Sequence, residues 1–341
     1  MAGGRHRSYD VGRGGRLRQG GRERRAHRPV PVPPPDRWST AVKAVISSRT
    51  LADAVGPVDG VEVAVWNGDG PPPEGDVDLW VPHYATSAGV LDQAGRLQGL
   101  KVVQLQSAGY DGVLERLRVG VTLCNASGVH DDATAEHAVG LVLASLRGIP
   151  EAVRSHGHWE TDKMRRSLAD SRVMVLGYGS IGRALAERLL PMKAVVTAVA
   201  TRERDDDLVG RVRGIDELHS LLPDQDVVVA LVPLSDATRG LLGAETLALL
   251  PDGALVVNVA RGPVVDTEAV LREAGRLRFA LDVTDPEPLP DGHPLWDAPG
   301  VLITPHIAGG TTAMLPRIAA LVRDQLRRRA TGEPLVNVVS G

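Results

Sequence analysis

Arg172-Val173-Met174-Val175-Leu176-Gly177-Tyr178-Gly179-Ser180-Ile181-Gly182 runs from an apolar strand through three glycines spaced G-x-G-x-x-G and on into a helix. Each glycine in such a turn serves a separate purpose. Gly177 permits the tight bend, Gly179 lets the backbone approach a pyrophosphate, and Gly182 allows the helix to pack closely on the strand. The N-terminus of the helix then offers free N–H groups and a partial positive charge to an anion. Ile181, Leu185 and Leu189 recur every four residues and give that helix a buried face, which Pro191 ends. In a chain with 38 glycines the triplet alone means little. The strand before it and the helix after it make it a dinucleotide-binding element.

Downstream, short β-rich runs alternate with helical patterns. Val173–Leu176, Val195–Val199, Asp226–Leu231, Ala254–Val259, Phe279–Val283 and Val301–Thr304 read as strands. A last helix is expected over Ala313–Arg329. Upstream, Ala44-Val45-Ile46, Val61–Trp66, Val77–Val81, Val102-Val103 and Val121-Thr122-Leu123 read as buried strands, with helical pieces at Thr50–Val55 and Val90–Arg96. A longer helix is expected over Ala133–Leu146, stopped by Gly148-Ile149-Pro150. This alternation predicts an α/β protein with parallel sheets, and 341 residues suit two domains better than one core.

Composition narrows the function classes. Hydrophobic residues make up 43% of the chain, which is ample for packed interiors, and the net charge of -3 gives no overall pull toward nucleic acid or membrane. Aromatics are only 3%, too few for base-stacking surfaces. Cys124 is the single cysteine, so disulfides and multi-cysteine metal sites are ruled out and a reducing, cytoplasmic setting is expected. No apolar run reaches the roughly 18 residues that a membrane helix needs. Residues 1–40 stand apart, with ten arginines against three acids and a proline-rich end at Pro29–Pro35. They are expected to form a disordered, solvated extension, and an RNA-binding tail is the rival reading. The rest of the chain carries about -10, the total of -3 less the +7 of this segment.

The end of the second strand after the glycine loop bears on cofactor choice. An acid there would hold the ribose 2′-hydroxyl of NAD. The chain instead reads Val199-Ala200-Thr201-Arg202-Glu203-Arg204. Arg202 and Arg204 suit a 2′-phosphate, so NADP(H) is favoured and NAD(H) remains possible; Glu203 and Asp205–Asp207 oppose them. Three further polar residues follow apolar strands: Arg261, Glu287 and His306. Ligands bind outside the carboxyl ends of such strands, so all three are expected to face one crevice. Reducing a 2-oxo acid needs a cation to hold and polarise it, a proton donor, and a carboxylate that orients the donor. Arg, His and Glu supply these.

Four segments carry a resemblance: Pro233-Leu234-Ser235-Asp236-Ala237-Thr238-Arg239-Gly240, Asn258 to Asp266 with Arg261-Gly262 inside it, Asp282-Val283-Thr284-Asp285-Pro286-Glu287-Pro288-Leu289-Pro290, and Thr304-Pro305-His306-Ile307-Ala308-Gly309. Together with His293-Pro294-Leu295-Trp296 and Ala135-Glu136-His137, they resemble the D-isomer-specific 2-hydroxyacid dehydrogenase family over most of residues 100–312. The glyoxylate/hydroxypyruvate reductase and short phosphoglycerate dehydrogenase types lie nearest. The resemblance implies two Rossmann-like domains around a cleft. Residues 41–140 plus 313–341 would form a flavodoxin-like substrate domain, and 141–312 an inserted dinucleotide-binding domain. It implies that Arg261 binds the substrate carboxylate and carbonyl, His306 is the acid/base, and Glu287 hydrogen-bonds His306. Ala108 and Gly109 would hold the carboxylate through the backbone. Gly177, Tyr178, Gly179, Ser180, Ile181, Gly182, Thr201, Arg202, Arg204, Val232, Pro233, Thr238, Ala260 and Asp282 would contact the cofactor. The family usually forms dimers, so a homodimer is expected, with neither metal, membrane nor nucleic acid as partner.

The chain departs from the family pattern in places. His130-Asp131-Asp132-Ala133 stands where the family often has a threonine near the cofactor, Thr284 where an aromatic is frequent, and Phe279-Ala280 where two small residues are usual. His83 and Tyr84 follow a strand but read as surface loop, and His156 and His158 find no third partner for a metal. Formate dehydrogenase is a rival disfavoured by Glu287, since its hydride transfer needs no His–Glu pair. No regulatory domain is expected after residue 312. A rival of another class is a non-catalytic, dinucleotide-sensing binding protein of corepressor type, which turnover of 2-oxo acids would separate from an enzyme.

Overall fold

Val173 and Val175 of the strand β6 (Arg172–Leu176) pack into one apolar cluster, while Met174 and Leu176 pack into another on the opposite face. That two-sided burial is why the strand is a continuous apolar run rather than an alternating one. The computed structural model describes residues 42–84, 91–159 and 164–340. In it β6 belongs to an eight-stranded sheet with β7 (Val195–Ala200), β8 (Arg204–Asp206), β9 (Gly210–Gly214), β10 (Val227–Ala230), β11 (Leu255–Asn258), β12 (Arg278–Leu281) and β13 (Val301–Ile303). The order is β13-β12-β11-β10-β6-β7-β9-β8, and every pairing is parallel except β8 with β9. The chain steps outward from β6 to β9 and then returns to β10 on the other side of β6. This reversal leaves a crevice beyond the C-terminal ends of β6 and β10, the usual seat of a ligand in a doubly wound sheet.

A second sheet holds β1 (Val42–Ile46), β2 (Val61–Val65), β3 (Leu79–Val81), β4 (Val102–Gln104) and β5 (Thr122–Cys124), joined by β14 (Val338–Ser340). Its order is β14-β5-β4-β3-β1-β2, with only β14 antiparallel to its neighbour. Ile318, Ala319, Val322 and Leu326 of the C-terminal helix Met314–Thr331 pack on Ala44, Ile46, Leu79 and Val81 of this sheet. The buried Gln325 side chain donates to Gln104 Oε1 at 2.7 Å and accepts from the Val336 N–H at 3.0 Å, which ties the end of the chain to β4.

The helix Asp131–Arg147 lies between the two halves of the sequence. Its Ala135, Ala138, Leu141, Val142 and Leu146 join the cluster that contains Val173 and Leu185. Gly148, at φ 64°, caps it in the left-handed region that glycine enters freely. The expected strands lie where the sequence places them, give or take one or two end residues. The expected helix at Val90–Arg96 is a 3-10 turn at Asp92–Arg96, and its first residue lies outside the described residues. The extension expected over residues 1–40 also lies outside them.

Candidate active site

The glycine loop is built as its spacing demands. A Cβ on Gly177, whose φ is 110°, would lie 2.6 Å from the Leu231–Val232 peptide, and one on Gly182 would collide with the Gly177 carbonyl. A Cβ on Gly179 would meet nothing within 4 Å, so open space lies before the helix Ser180–Leu189. Two glycines thus seat the turn and the third faces free volume, which fits a bound pyrophosphate.

The two arginines follow β7, Arg202 in the loop and Arg204 at the start of β8. Arg202 is exposed, and Arg204 donates to the Tyr178 carbonyl at 2.7 Å with its guanidinium 5.8 Å from the Tyr178 ring centre. The acids expected to oppose them are largely engaged elsewhere. Glu203 pairs with Arg211, and Asp207 pairs with Arg183 at 2.8 Å. Asp206 accepts from Arg183 at 3.2 Å and from the Tyr178 hydroxyl at 3.0 Å. Burial first, and the hydrogen bond to Asp206 second, push the Tyr178 hydroxyl up to about 12. Thr201 and Ser180 are exposed at the rim, while Thr238 Oγ1 closes its own turn by donating to the Pro233 carbonyl at 2.6 Å.

His306 follows β13 and sits at φ 53°, a left-handed conformation uncommon for a residue other than glycine. Asp282 braces the loop around it. Its carboxylate, 1% exposed, accepts from the Thr304 hydroxyl at 2.6 Å and from the Ile307 and Ala308 N–H groups at 3.0 Å each. The Asp282 carbonyl also accepts the His306 N–H at 2.7 Å. His137 Nε2, from the helix between the halves, lies 3.2 Å from Asp282 Oδ1 and 3.0 Å from Thr304 Oγ1. Burial alone would raise the Asp282 carboxyl, but the hydrogen bonds from His137, Thr304, Ile307 and Ala308 outweigh it and hold the group below the ordinary carboxylate range.

Glu287 reaches His306 from the loop after β12, with Oε1 2.6 Å from Nδ1. Arg261 follows β11, where Asn258 shapes the turn by accepting the Ala260 N–H at 3.1 Å and donating to the Arg261 carbonyl at 2.9 Å. The next residue must be glycine, because a Cβ on Gly262 would strike the Thr284 carbonyl of the loop that carries Glu287. Arg261 Nε donates to Asp111 Oδ2 at 2.8 Å, and its Nη2 packs against Gly109 so closely that a Cβ there would collide.

These groups meet. Ala108, Gly109, Ile181, Arg261, Asp282 and His306 line one cavity of about 100 Å³. An adjoining space of about 220 Å³ is lined by Ile181, Val232, Pro233, Ala260 and Arg261. The end of the glycine loop therefore opens onto the same volume as the Arg and the His. Thr201, Arg202, Arg204 and Thr238 line neither space. Several contributors went unread in the sequence. Asn258, His137 and Thr304 stood inside the family motifs, and Asp111 two residues after Gly109, without an assigned part. Tyr84, expected on the surface, is half-buried, stacks on His130 at 5.5 Å and lines the cavity. His130 bridges the Gln106 and Gly309 carbonyls at 2.7 and 3.1 Å, so the departing segment joins two loops of the site.

Comparison with known proteins identifies the family. The family model described as D-isomer specific 2-hydroxyacid dehydrogenase, NAD binding domain, matches residues 139–308. The chain is 35% identical to a glyoxylate reductase of Thermofilum pendens over 259 residues, covering 72% of this chain and 76% of the other. It is 33% identical over 255 residues to a D-3-phosphoglycerate dehydrogenase of Archaeoglobus fulgidus, of which it spans 48%. Among solved structures, a D-isomer specific 2-hydroxyacid dehydrogenase from Xanthobacter autotrophicus Py2 in complex with NADPH and MES superimposes with a TM-score of 0.74 at 31% identity, covering 88% of this chain and 98% of the other.

Proposed function

This chain belongs to the D-isomer-specific 2-hydroxyacid dehydrogenase family and is a dehydrogenase dependent on a nicotinamide dinucleotide; on that premise we propose that it reduces small 2-oxo acids, with Arg261, Glu287 and His306 as its working residues. The observation that carries the reading is the 2.6 Å contact between His306 and Glu287, with His306 opening on the same cavity as Arg261, Gly109 and Ile181.

When bound, the reduced nicotinamide supplies the hydride. Arg261 holds the substrate carboxylate and draws electron density from the carbonyl, helped by the backbone N–H groups of Ala108 and Gly109. Glu287 fixes the imidazole through Nδ1, leaving Nε2 to give a proton to the forming alkoxide. Asp282 keeps the His306 loop in place and borders the space for the nicotinamide. The glycine loop, Val232, Pro233 and Ala260 line the dinucleotide path.

NADP(H) is the favoured cofactor. Arg202 and Arg204 remain to meet a 2′-phosphate, since Glu203 pairs with Arg211 and Asp206 and Asp207 share Arg183. NAD(H) would serve less well. The same reading takes residues 41–140 with 313–341 as the substrate-side domain and 141–312 as the dinucleotide domain of a cytoplasmic homodimer. Among the described residues no helix is long and apolar enough to cross a membrane.

The test mixes purified protein with NADPH or NADH and a panel of 2-oxo acids and follows loss of the reduced-nicotinamide absorbance. Oxidation that depends on the acid, faster with NADPH, is the expected result. Silence across the panel with cofactor binding intact would end the catalytic reading.

A further inference from the structure

A side cavity of about 200 Å³ opens from Arg261 and His306 away from the glycine loop. Its floor is Leu91, Leu105 and Val113, all buried, and Tyr110 and Asp111 stand on its walls. Among the described residues that line it, Arg261 is the only lysine or arginine, and its Nε is already taken by Asp111 at 2.8 Å.

We propose that this cavity receives the substrate side chain and selects 2-oxo acids whose side chain is uncharged and a few heavy atoms long, with Asp111 turning away phosphorylated and dicarboxylic acids. The inference rests on the reductase reading above and names its substrate class.

Every 2-oxo acid brings a carboxylate and a carbonyl for the N–H groups of Arg261 that Asp111 and the Ala260 carbonyl leave open. No further lysine or arginine among the described lining residues is left for a second anionic group, and besides His306 the remaining basic side chain is the exposed His83. A phosphate or second carboxylate placed on the floor would lie on the apolar Leu91, Leu105 and Val113 and beside the like charge of Asp111, and both effects disfavour it. The opposite limit is also disfavoured. About 200 Å³ is the room of roughly six or seven waters, so a substrate with only hydrogen at this position leaves the floor unfilled. Each methylene that covers this floor is expected to raise kcat/KM by about fourfold until the space is full.

The experiment uses the full chain with NADPH and two matched pairs: hydroxypyruvate against its 3-phosphate, and 2-oxopentanoate against 2-oxoglutarate. Glyoxylate is the short reference. The uncharged member is expected to exceed its anionic partner by at least about 100-fold in kcat/KM, and 2-oxopentanoate to exceed glyoxylate. Anionic members that match or beat their partners would overturn the proposal. Asp111→Asn keeps an oxygen for Arg261 while removing the charge, and should narrow both ratios by about tenfold; unchanged ratios would remove Asp111 from the selection. The Tm shift that each acid gives the protein loaded with NADP+ is read in parallel. If no acid turns over, the reductase reading falls, and the Tm ranking still decides the cavity: larger shifts with uncharged acids support it, and equal or reversed shifts overturn it.

Discussion

His306 and Arg261 leave strands of the same sheet and face the same cavity, yet they are held in different ways. The His306 loop is fixed from within: four donors converge on the buried Asp282 carboxylate, and Glu287 grips the ring. Arg261 is a third exposed and its carboxylate partner, Asp111, comes from the loop after β4 of the other sheet. One group is therefore placed before any substrate arrives. The other is set by how the two sheets' loops meet. Damage to the first should appear in kcat, and damage to the second in KM.

The largest effect is expected at His306 itself. His306→Gln should lower kcat by about 10³-fold or more, because a proton donor is lost while the loop stays intact. NADPH affinity, measured by fluorescence titration, should move by less than about threefold. A variant that retains its turnover would show that the ring is not the proton donor.

Asp282→Asn tests whether that loop is truly preset. The carboxamide keeps one oxygen but turns N–H groups either toward the Ala308 donor on Oδ2 or toward the Ile307 and Thr304 donors on Oδ1, leaving buried donors unpaired. A loss of about 10² in kcat with little change in KM is expected. The acid response follows from the sign of the shift. The carboxyl is held below its ordinary range in the folded protein, so the stability it contributes is present above about pH 4 and is lost as pH falls through the lowered value. The Tm gap between the native protein and the variant should be full at neutral pH and narrow in acid. A constant gap would mean that the Asp282 charge does not hold the loop.

The same contrast explains what was legible in the sequence. β6 and the glycine loop could be read because strand, turn and helix follow one another within Arg172–Leu189 and each residue's reason is local. Arg261, Glu287 and His306 could be expected near one crevice because each lies just past an apolar strand. Asp111 and His137 could not be given their parts, since their partners lie 150 residues away at Arg261 and 167 away at Thr304. β8, the edge strand, and β9 beside it went unpredicted because they carry few apolar residues; in Gly210–Gly214 the side chain that enters the core is Val212. β14 pairs with a strand more than two hundred positions earlier, and nothing in Val338–Ser340 names that partner.

At Arg261 the expected losses are smaller. Asp111→Ala frees the guanidinium, so KM for a good 2-oxo acid should rise by about tenfold or more while kcat changes by less than about threefold. The pair is partly exposed, and its contribution to stability should stay within about 1 kcal/mol. A kcat loss as large as that of Asp282→Asn would erase the distinction between the two loops.

The smallest effect belongs to the rim of the cleft, where neither kind of constraint operates. Arg202 is exposed, and Arg204 is steadied mainly by the Tyr178 carbonyl and ring. Charges placed in water at ordinary ionic strength attract a 2′-phosphate through a screened field. Replacing both arginines with alanine should therefore weaken NADPH by about tenfold, leave NADH within about threefold, and leave kcat at saturating cofactor nearly unchanged. The NADPH loss should also shrink as salt is raised, because the field it removes is already screened there. Equal losses for the two cofactors would mean that the arginines do not read the phosphate. In that case the preference would have to come from Thr201, which stands at the same strand end and carries no charge.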